Sequence, residues 1–390
     1  MLSKDPYKGV RDFYPPELAI QNYLFGVMKK TSESFGYVEY GASILEPAEL
    51  YRGKTSEEIV NEQTYTFTDR GKREVTLRPE MTPTIARMIA AKRRELALPL
   101  RWYAIPNVFR YERPQRGRLR EHWQLNCDIF GVAGVEAETE IISLAYQLLK
   151  NFGAKDDDFE IRVNNRKIIA AGLAHKNLSE EQIRDFIRKL DKGETIPTDI
   201  HFESDEEIKK LLARLKENGI NNVRFDETLA RGFDYYTGIV FEVFDTSTEN
   251  NRSLFGGGRY DNLLEIFDEA PIPAVGFGMG DVTIRDFLET HKLLPVLQST
   301  TEIYLCNVGV NFGELEKITE SLRAAGLRVA IDLSGKKVGD QIKIAVRQQI
   351  PYIICVGEEE LKTGQFKLKK LATGEEKTLK LEEFNAQNLF

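Results

Sequence analysis

FRYERPQRGRLREHWQ, residues 109–124, holds five arginines, Arg110, Arg113, Arg116, Arg118 and Arg120, set about a turn at Pro114–Gly117. Successive side chains of a strand point to opposite faces. Phe109 and Tyr111 therefore share one face, and Arg110 and Glu112 the other. Past the turn, Trp123, Leu125, Cys127 and Ile129 form an apolar face, opposed by His122, Gln124, Asn126 and Asp128. The pattern predicts an antiparallel hairpin with strands over 101–113 and 118–132. Its apolar face packs inward, and Arg110, Glu112, Gln124 and Asp128 gather on one surface. Either strand alone reads as an ordinary half-solvated sheet. The turn points further, because guanidinium groups around a Pro/Gly loop suit bidentate capture of phosphate.

The surrounding chain is acidic, with 61 Asp and Glu against 54 Lys and Arg and a net charge of −7. That argues against a surface coated in basic charge for indiscriminate nucleic-acid binding, but not against a local basic groove. Single cores stop growing near ~250–300 residues, so 390 residues predict at least two domains. Cys127, Cys306 and Cys355 are far apart with strand-like flanks, and read as reduced core residues rather than a disulfide frame or zinc site. His122, His175, His201 and His291 make no metal-ligand spacing. The opening MLSKDPYKGVRDFYPPE has no apolar run, so no signal peptide is expected. No stretch approaches the ~18 apolar residues of a membrane span.

Along the chain, 17–35 reads as an amphipathic helix entered through Pro15-Pro16, and YVEYGASILE as a strand. YTFTDRGKREVTLRPE reads as a hairpin. In TPTIARMIAAKR, Thr82 has N-cap chemistry and Pro83 suits the first helical position. Residues 135–152 read as a helix. Residues 156–225 turn polar, and EEQIRDFIRKL repeats apolar residues at helical spacing, which predicts a small helical insert. Strand signals return at GIVFEVFD and AVGFGMG. A linker at 290–300 precedes a βαβαβ order, which predicts a separate α/β domain of about 90 residues.

Four segments suggest a ligand site. In AVGFGMG, Gly276, Gly278 and Gly280 leave one strand face bare, which fits close approach by a ligand or another backbone, or a bend. FGGGRYDNLL reads as a glycine-rich turn leading into a helix. Glu80 stands just ahead of a helix start, able to hold an ammonium or to face the helix dipole. ARGFDYYTGIVFE sets Arg231 and the adjacent Tyr235 and Tyr236 before a strand.

These segments together resemble the histidyl-tRNA synthetases, a class II aminoacyl-tRNA synthetase family, over nearly the whole chain. YKGVRDFYP resembles the N-terminal signature of that family, TLRPEMT its amino-acid-receiving segment, and FRYERPQRGRLREHWQ class II motif 2. RGFDYYTG and GGGRYD are similar to its two histidine-specific motifs, and VAIDLSGKKVGDQIKIA to its anticodon-binding domain. The resemblance implies an α+β protein with an antiparallel six-stranded catalytic core. The expected domains are 1–158 and 226–290 for the core, 159–225 for the helical insert and 300–390 for anticodon binding.

It also implies a cytoplasmic homodimer, bound to no membrane, that uses L-histidine, ATP with Mg2+, and tRNA(His). The histidine carboxylate attacks the α-phosphate of ATP, pyrophosphate leaves, and the 3′ ribose of the tRNA takes the histidyl group. Carried over by position, Arg110 and Arg231 are catalytic, acting on the α-phosphate. Glu80, Met81, Thr82, Arg110, Gln124, Asp128, Arg231, Tyr235 and Tyr236 would bind histidine. Arg110, Glu112, Arg118, Arg231, Arg259 and Gly278 would bind ATP. Arg113, Arg116, Lys336, Lys337 and Lys343 would meet tRNA, and no protein side chain is assigned to metal.

Three departures stand out. Ser43 replaces the usual motif 1 proline, and Asp128 stands where many bacterial members have glutamate. Thr283 replaces the motif 3 arginine that meets the γ-phosphate, which leaves Arg259, Arg285 or a magnesium ion to compensate. Two other readings keep the core without aminoacylation: a regulatory subunit of ATP phosphoribosyltransferase and a non-catalytic RNA-binding module. Arg231 and the C-terminal domain weigh against the first, and Arg231 with the intact motif 2 against the second.

Overall fold

The computed structural model describes residues 2–52, 63–174, 179, 182, 186, 189–190, 202–230, 235–250 and 252–385. Two compact units emerge, Met1–Leu294 and Pro295–Phe390. In chain order the strands of the first are β1 (Val38–Glu39), β2 (Leu45–Pro47), β3 (Tyr65–Thr68), β4 (Glu74–Leu77), β5 (Leu100–Ala104), β6 (Asn107–Phe109), β7 (Glu121–Phe130), β8 (Phe159–Asn165), β9 (Val223–Phe225), β10 (Ile239–Asp245), β11 (Ser253–Arg259) and β12 (Ala274–Gly280). The large sheet runs β1-β5-β7-β12-β11-β10-β8-β9, and β6 pairs with the start of β7. From β5 to β8 every pairing is antiparallel; β1 and β9 join the edges in parallel. The six-stranded antiparallel core is thus present, with one short parallel strand added at each edge.

Helix α1 (Pro15–Ser34) starts on two prolines, whose fixed φ and missing N–H suit a first turn. With α3 (Glu136–Asn151) it covers one face of the sheet, where Leu24, Met28, Ile141, Leu144 and Leu148 meet Leu125, Cys127 and Ile129 of β7. The other face of β7 is also enclosed: Asn126 and Asp128 are buried. The sequence pattern suggested a surface there. It becomes a pocket floor because α2 (Thr82–Lys92) and the segment around Tyr235 and Tyr260 pack over it.

Several boundaries differ from expectation. The strand before the arginine turn ends at Phe109, and within 110–120 only Gln115 and Arg118 bridge. The glycines of 256–258 lie inside β11 rather than in a turn. α2 begins at Thr82, with Met81 at the N-cap position and no side-chain cap. YVEYGASILE yields two strands in different sheets. β8 is a full partner of β10, so 159 does not open a helical insert. The polar composition of 156–225 hid it, although Phe159, Ile161 and Val163 alternate as buried residues between polar neighbours. The expected helix at 180–190 lies almost wholly outside the described residues.

The second unit has strands β13 (Ile303–Asn307), β14 (Val329–Ile331), β15 (Tyr352–Val356), β16 (Gln365–Lys370) and β17 (Glu376–Lys380), in sheet order β14-β13-β15-β16-β17. Helices α5 (Phe312–Ala324) and α6 (Val338–Arg347) connect the three parallel strands, giving the expected βαβαβ order, and an antiparallel hairpin follows. In the first unit, helix α4 (Asp281–Thr290) follows β12 directly.

Candidate active site

Three site side chains lie over three glycines. In the antiparallel register Gly276 pairs with Asp128 and with Gly258. A Cβ on Gly276 would stand 2.1 Å from Asp128 Oδ1, one on Gly278 1.6 Å from Gln124 Nε2, and one on Gly258 3.0 Å from Tyr236 Cδ1. The bare strand face therefore makes room for protein side chains, which lie flat across it and line a pocket above. Gly278 serves the position of Gln124 in this arrangement.

Asp128 is the centre of this layer. Tyr260 donates a short hydrogen bond to its Oδ1. Burial pushes the Asp128 carboxyl up to about 7, against the opposing pull of that bond. Tyr260 stacks edge-on with Tyr235 and with Phe130, and Tyr235 with Tyr236. Tyr235 donates to Glu80 Oε2 at 3.1 Å, and the Thr82 hydroxyl reaches Tyr235. Burial, then the nearby Glu80 charge, holds the Tyr235 phenol well above its ordinary range. Glu80 is buried just ahead of α2, and the next residue, Met81, is buried at the N-cap position. Asp128, Tyr260, Tyr235, Tyr236, Glu80, Thr82 and Gln124 thus form one polar pocket with an aromatic wall.

Arg110 borders this pocket, with its Nε donating to Pro79 O at 2.9 Å beside Glu80. His122 lies between the charges of Arg110 and Arg11. Burial, then those two cations, pushes its imidazole down to about 3, so it is neutral near pH 7. Glu112 is largely enclosed, with Arg118 at 3.8 Å, while Arg118 and Arg113 are exposed on the loop.

Other arginines are committed elsewhere. Arg120 is buried, donates to Glu112 O and Tyr7 Oη, and lies 3.9 Å over the Tyr111 ring. Arg116, expected to face RNA, is held by Asp286 of α4 at 2.8 Å, and Arg252 donates to its carbonyl. Arg259 is not available to a nucleotide. It is buried and bidentate to Glu138 of α3, at 2.6 and 2.7 Å, and also bonds Asp261, Val132 O and Gly134 O. Arg285 pairs with Glu289 one turn along α4. Thr283 spends its hydroxyl on Leu254 O and Gly280 O. Both arginines expected to replace the motif 3 cation are thus paired to carboxylates, Arg259 in the interior and Arg285 on the surface of α4. Arg231 lies outside the described residues.

Tyr260 was missed by sequence reasoning, although the signal existed: strand alternation carries the Gly256–Gly258 face on to it. The same parity sends Arg259 to the opposite face, toward Glu138. In the second unit Lys336 and Lys337 are exposed ahead of α6, and Lys343 pairs with Asp340 on its surface.

A family model described as Histidyl-tRNA synthetase matches residues 9–200 and 197–282, and one described as Anticodon binding domain matches 302–387. A histidine–tRNA ligase of Leptospira biflexa is 41% identical, covering 98% of this chain and 96% of its own. One of Thermoplasma volcanium is 37% identical, covering 96% of each chain. The crystal structure of apo histidyl-tRNA synthetase of S. aureus superposes with a TM-score of 0.76 at 24% identity, over 98% of each chain. That of Nostoc sp. PCC 7120 gives 0.82 at 21% identity over 98% of this chain and 99% of its own, so the fold is shared. The chain belongs to the histidyl-tRNA synthetase family.

Proposed function

We infer that this protein is a histidine–tRNA ligase, a class II aminoacyl-tRNA synthetase that activates L-histidine with ATP and transfers it to tRNA(His). The observation that carries the reading is the pocket of Asp128, Tyr260, Tyr235 and Glu80 beside Arg110, in a chain of this family. The C-terminal unit, matched to an anticodon-binding domain, disfavours the regulatory-subunit reading.

Asp128 accepts an N–H of the substrate imidazole, Tyr236 meets the other ring nitrogen, and Tyr235 closes the pocket. Glu80, Thr82 and Gln124 take the ammonium group. Arg110, together with Arg231, holds the α-phosphate as the histidine carboxylate attacks it and pyrophosphate leaves. Such fixed donors act where charge develops, which is the main work of a phosphoryl-transfer site. Glu112 accepts from the adenine amino group. The tRNA 3′ hydroxyl then attacks the activated carbonyl and releases AMP.

With Arg259 and Arg285 engaged, the γ-phosphate falls to exposed loop cations, Arg118 and Arg113, and to Mg2+ arriving with the nucleotide. Among the described residues no group of three or more His, Cys, Asp or Glu could hold a metal ion. Lys336, Lys337 and Lys343 would attract the anticodon stem, and Arg113 the acceptor end. Arg116 joins it if tRNA displaces Asp286. A homodimer through the N-terminal part would cover the exposed Val38, Leu45 and Phe67. No helix among the described residues is long and apolar enough to cross a membrane, and we place the enzyme in the cytoplasm with its tRNA. Histidine-dependent ATP–pyrophosphate exchange, followed by charging of tRNA(His), tests the reading. Exchange without any response to histidine would overturn it.

A further inference from the structure

The second unit contains a pair of thiols that the aminoacylation chemistry does not use. Cys306 of β13 and Cys355 of β15 are direct register partners in neighbouring parallel strands. Both belong to the apolar layer under α6, with Tyr304, Ala345, Ile350 and Ile353. Neighbouring strands run ~4.8 Å apart, inside the Cα separation of about 4.4–6.8 Å that a disulfide spans. The two differ in access: Cys306 is fully buried, while Cys355 is partly exposed. The ladder to β16 ends at Ile354, one residue short of Cys355.

We propose that Cys306 and Cys355 form a peroxide-oxidised dithiol site whose closure shifts the basic loop ahead of α6. The Cys355 thiol is held below its ordinary range by hydrogen bonding from Cys306, with Lys369 assisting and burial, Glu360 and Glu376 opposing. Cys306 is pushed up, first by the same bond and then by burial. Cys355, the accessible sulfur of the pair, is therefore the one that meets peroxide, and it attacks as the thiolate. Its sulfur attacks one oxygen of hydrogen peroxide; an S–O bond forms, the O–O bond breaks, and hydroxide leaves, taking up a proton to become water. The Cys306 sulfur then attacks the sulfenic sulfur; the S–S bond forms, the S–O bond breaks, and a second water carries off the Cys306 proton. Two electrons pass from the thiols to the peroxide.

The coupling to the loop is short. Asn307, next to Cys306, exchanges two hydrogen bonds with buried Gln341 of α6, and Gln341 Nε2 also donates to Lys336 O at 2.7 Å. Tyr304, two residues before Cys306, donates to Asp332, which holds Ser334 through three hydrogen bonds. Drawing the strand ends together moves both anchors of 332–337. The partly exposed Cys355 sulfur leaves the disulfide open to attack by cellular thiols, which can reverse it.

The effect on charging rests on the functional reading above; the effect on the loop does not. Full-length protein treated with hydrogen peroxide should lose two hydrogens in mass, with peptide mapping joining Cys306 to Cys355. Amide exchange across 332–341 should quicken. Charging of tRNA(His) should fall roughly 2- to 30-fold, the range of coupling through packed networks. Histidine-dependent pyrophosphate exchange should hold, and dithiothreitol should restore charging. Cys306→Ser should stop at a sulfenic acid on Cys355, trapped by dimedone, and Cys355→Ser should leave Cys306 reduced. Over-oxidation of Cys355 with no linked peptide overturns the site. A linked peptide with unchanged exchange at 332–341 overturns the coupling. A reduced enzyme that never charges tRNA defeats the functional reading, while mass and amide exchange still decide the dithiol.

Discussion

Asp128 is the residue at which fold and specificity pull against each other. Unfolded, its carboxyl titrates near the ordinary 3.8; folded, burial raises it to about 7. Between those values the folded state holds a proton that the unfolded state has released. Stability from this group therefore falls as pH rises through the window, by up to about 4 kcal/mol at about 1.36 kcal/mol per unit. Asp128→Asn should remove that slope, so urea unfolding at pH about 4.5 and about 7.5 should show wild type losing ground to the variant. Parallel pH dependence in the two proteins would sink the assignment. The variant should also raise the KM for histidine about 10- to 100-fold, the worth of a hydrogen bond to a charged group, with the KM for ATP little changed. Glycine positions give a sharper contrast. A Cβ at Gly276 would meet Asp128 Oδ1 at 2.1 Å and Cys127 O at 2.8 Å, whereas one at Gly26 in α1 would meet nothing within 4 Å. Gly276→Ala should cost about 1–3 kcal/mol through overpacking and weaken histidine binding. Gly26→Ala should gain about 0.5–1 kcal/mol from helix propensity, with kinetics unaltered. Equal outcomes at the two positions would mean that the glycine floor does not carry the pocket.

At the scale of elements, β11 shows what a strand can hide. Its alternating faces send Gly256, Gly258 and then Tyr260 into the pocket and Arg259 the other way, to Glu138 on α3. Arg259 and Glu138 stand 121 residues apart in sequence, and no local pattern links them. Motif reading therefore assigned Arg259 to ATP. Removing one partner of a buried pair leaves an uncompensated charge and costs about 3–5 kcal/mol, while an apolar replacement of both is often tolerated. Arg259→Ala should accordingly lower the unfolding midpoint severely, and Arg259→Met with Glu138→Leu should recover much of the loss. A nucleotide ligand would behave otherwise: a raised KM for ATP with normal stability. The legible elements were those with a clear period. β7, β10, β12 and α3 emerged because apolar residues recur on one face, and the second unit because strands and helices alternate in short steps. β8 was lost because its buried Phe159, Ile161 and Val163 are interleaved with Glu160, Arg162 and Asn164 in a stretch of polar composition. Glu80, Asp128 and Tyr235 were legible through their motifs. The contacts joining Tyr235 to Glu80, 155 residues apart, and Tyr260 to Asp128, 132 apart, depend on the tertiary fold.

For the whole molecule, the two units draw their apolar cores from separate residues. Those of the first include nothing beyond Leu294, and those of the second run from Ile303 to Phe384. Each therefore has what an independently folding domain requires. Leu293 and Leu294 pack against the first core, so the cut that respects it falls after Leu294. A chain ending there should fold, as judged by a cooperative unfolding transition, and keep histidine-dependent pyrophosphate exchange within a few-fold of the full chain. Its charging of tRNA(His) should fall far more, because anticodon recognition has been removed while adenylate chemistry has not. In the full chain, replacing Lys336, Lys337 and Lys343 by alanine should weaken tRNA binding. Each lost phosphate contact releases about one fewer counterion, so the salt dependence of binding should flatten by up to about one unit per contact. Pyrophosphate exchange in that variant should match wild type. A folded truncated chain that charges tRNA as well as the intact protein would refute the division of labour, and so would a triple variant whose salt slope is unchanged.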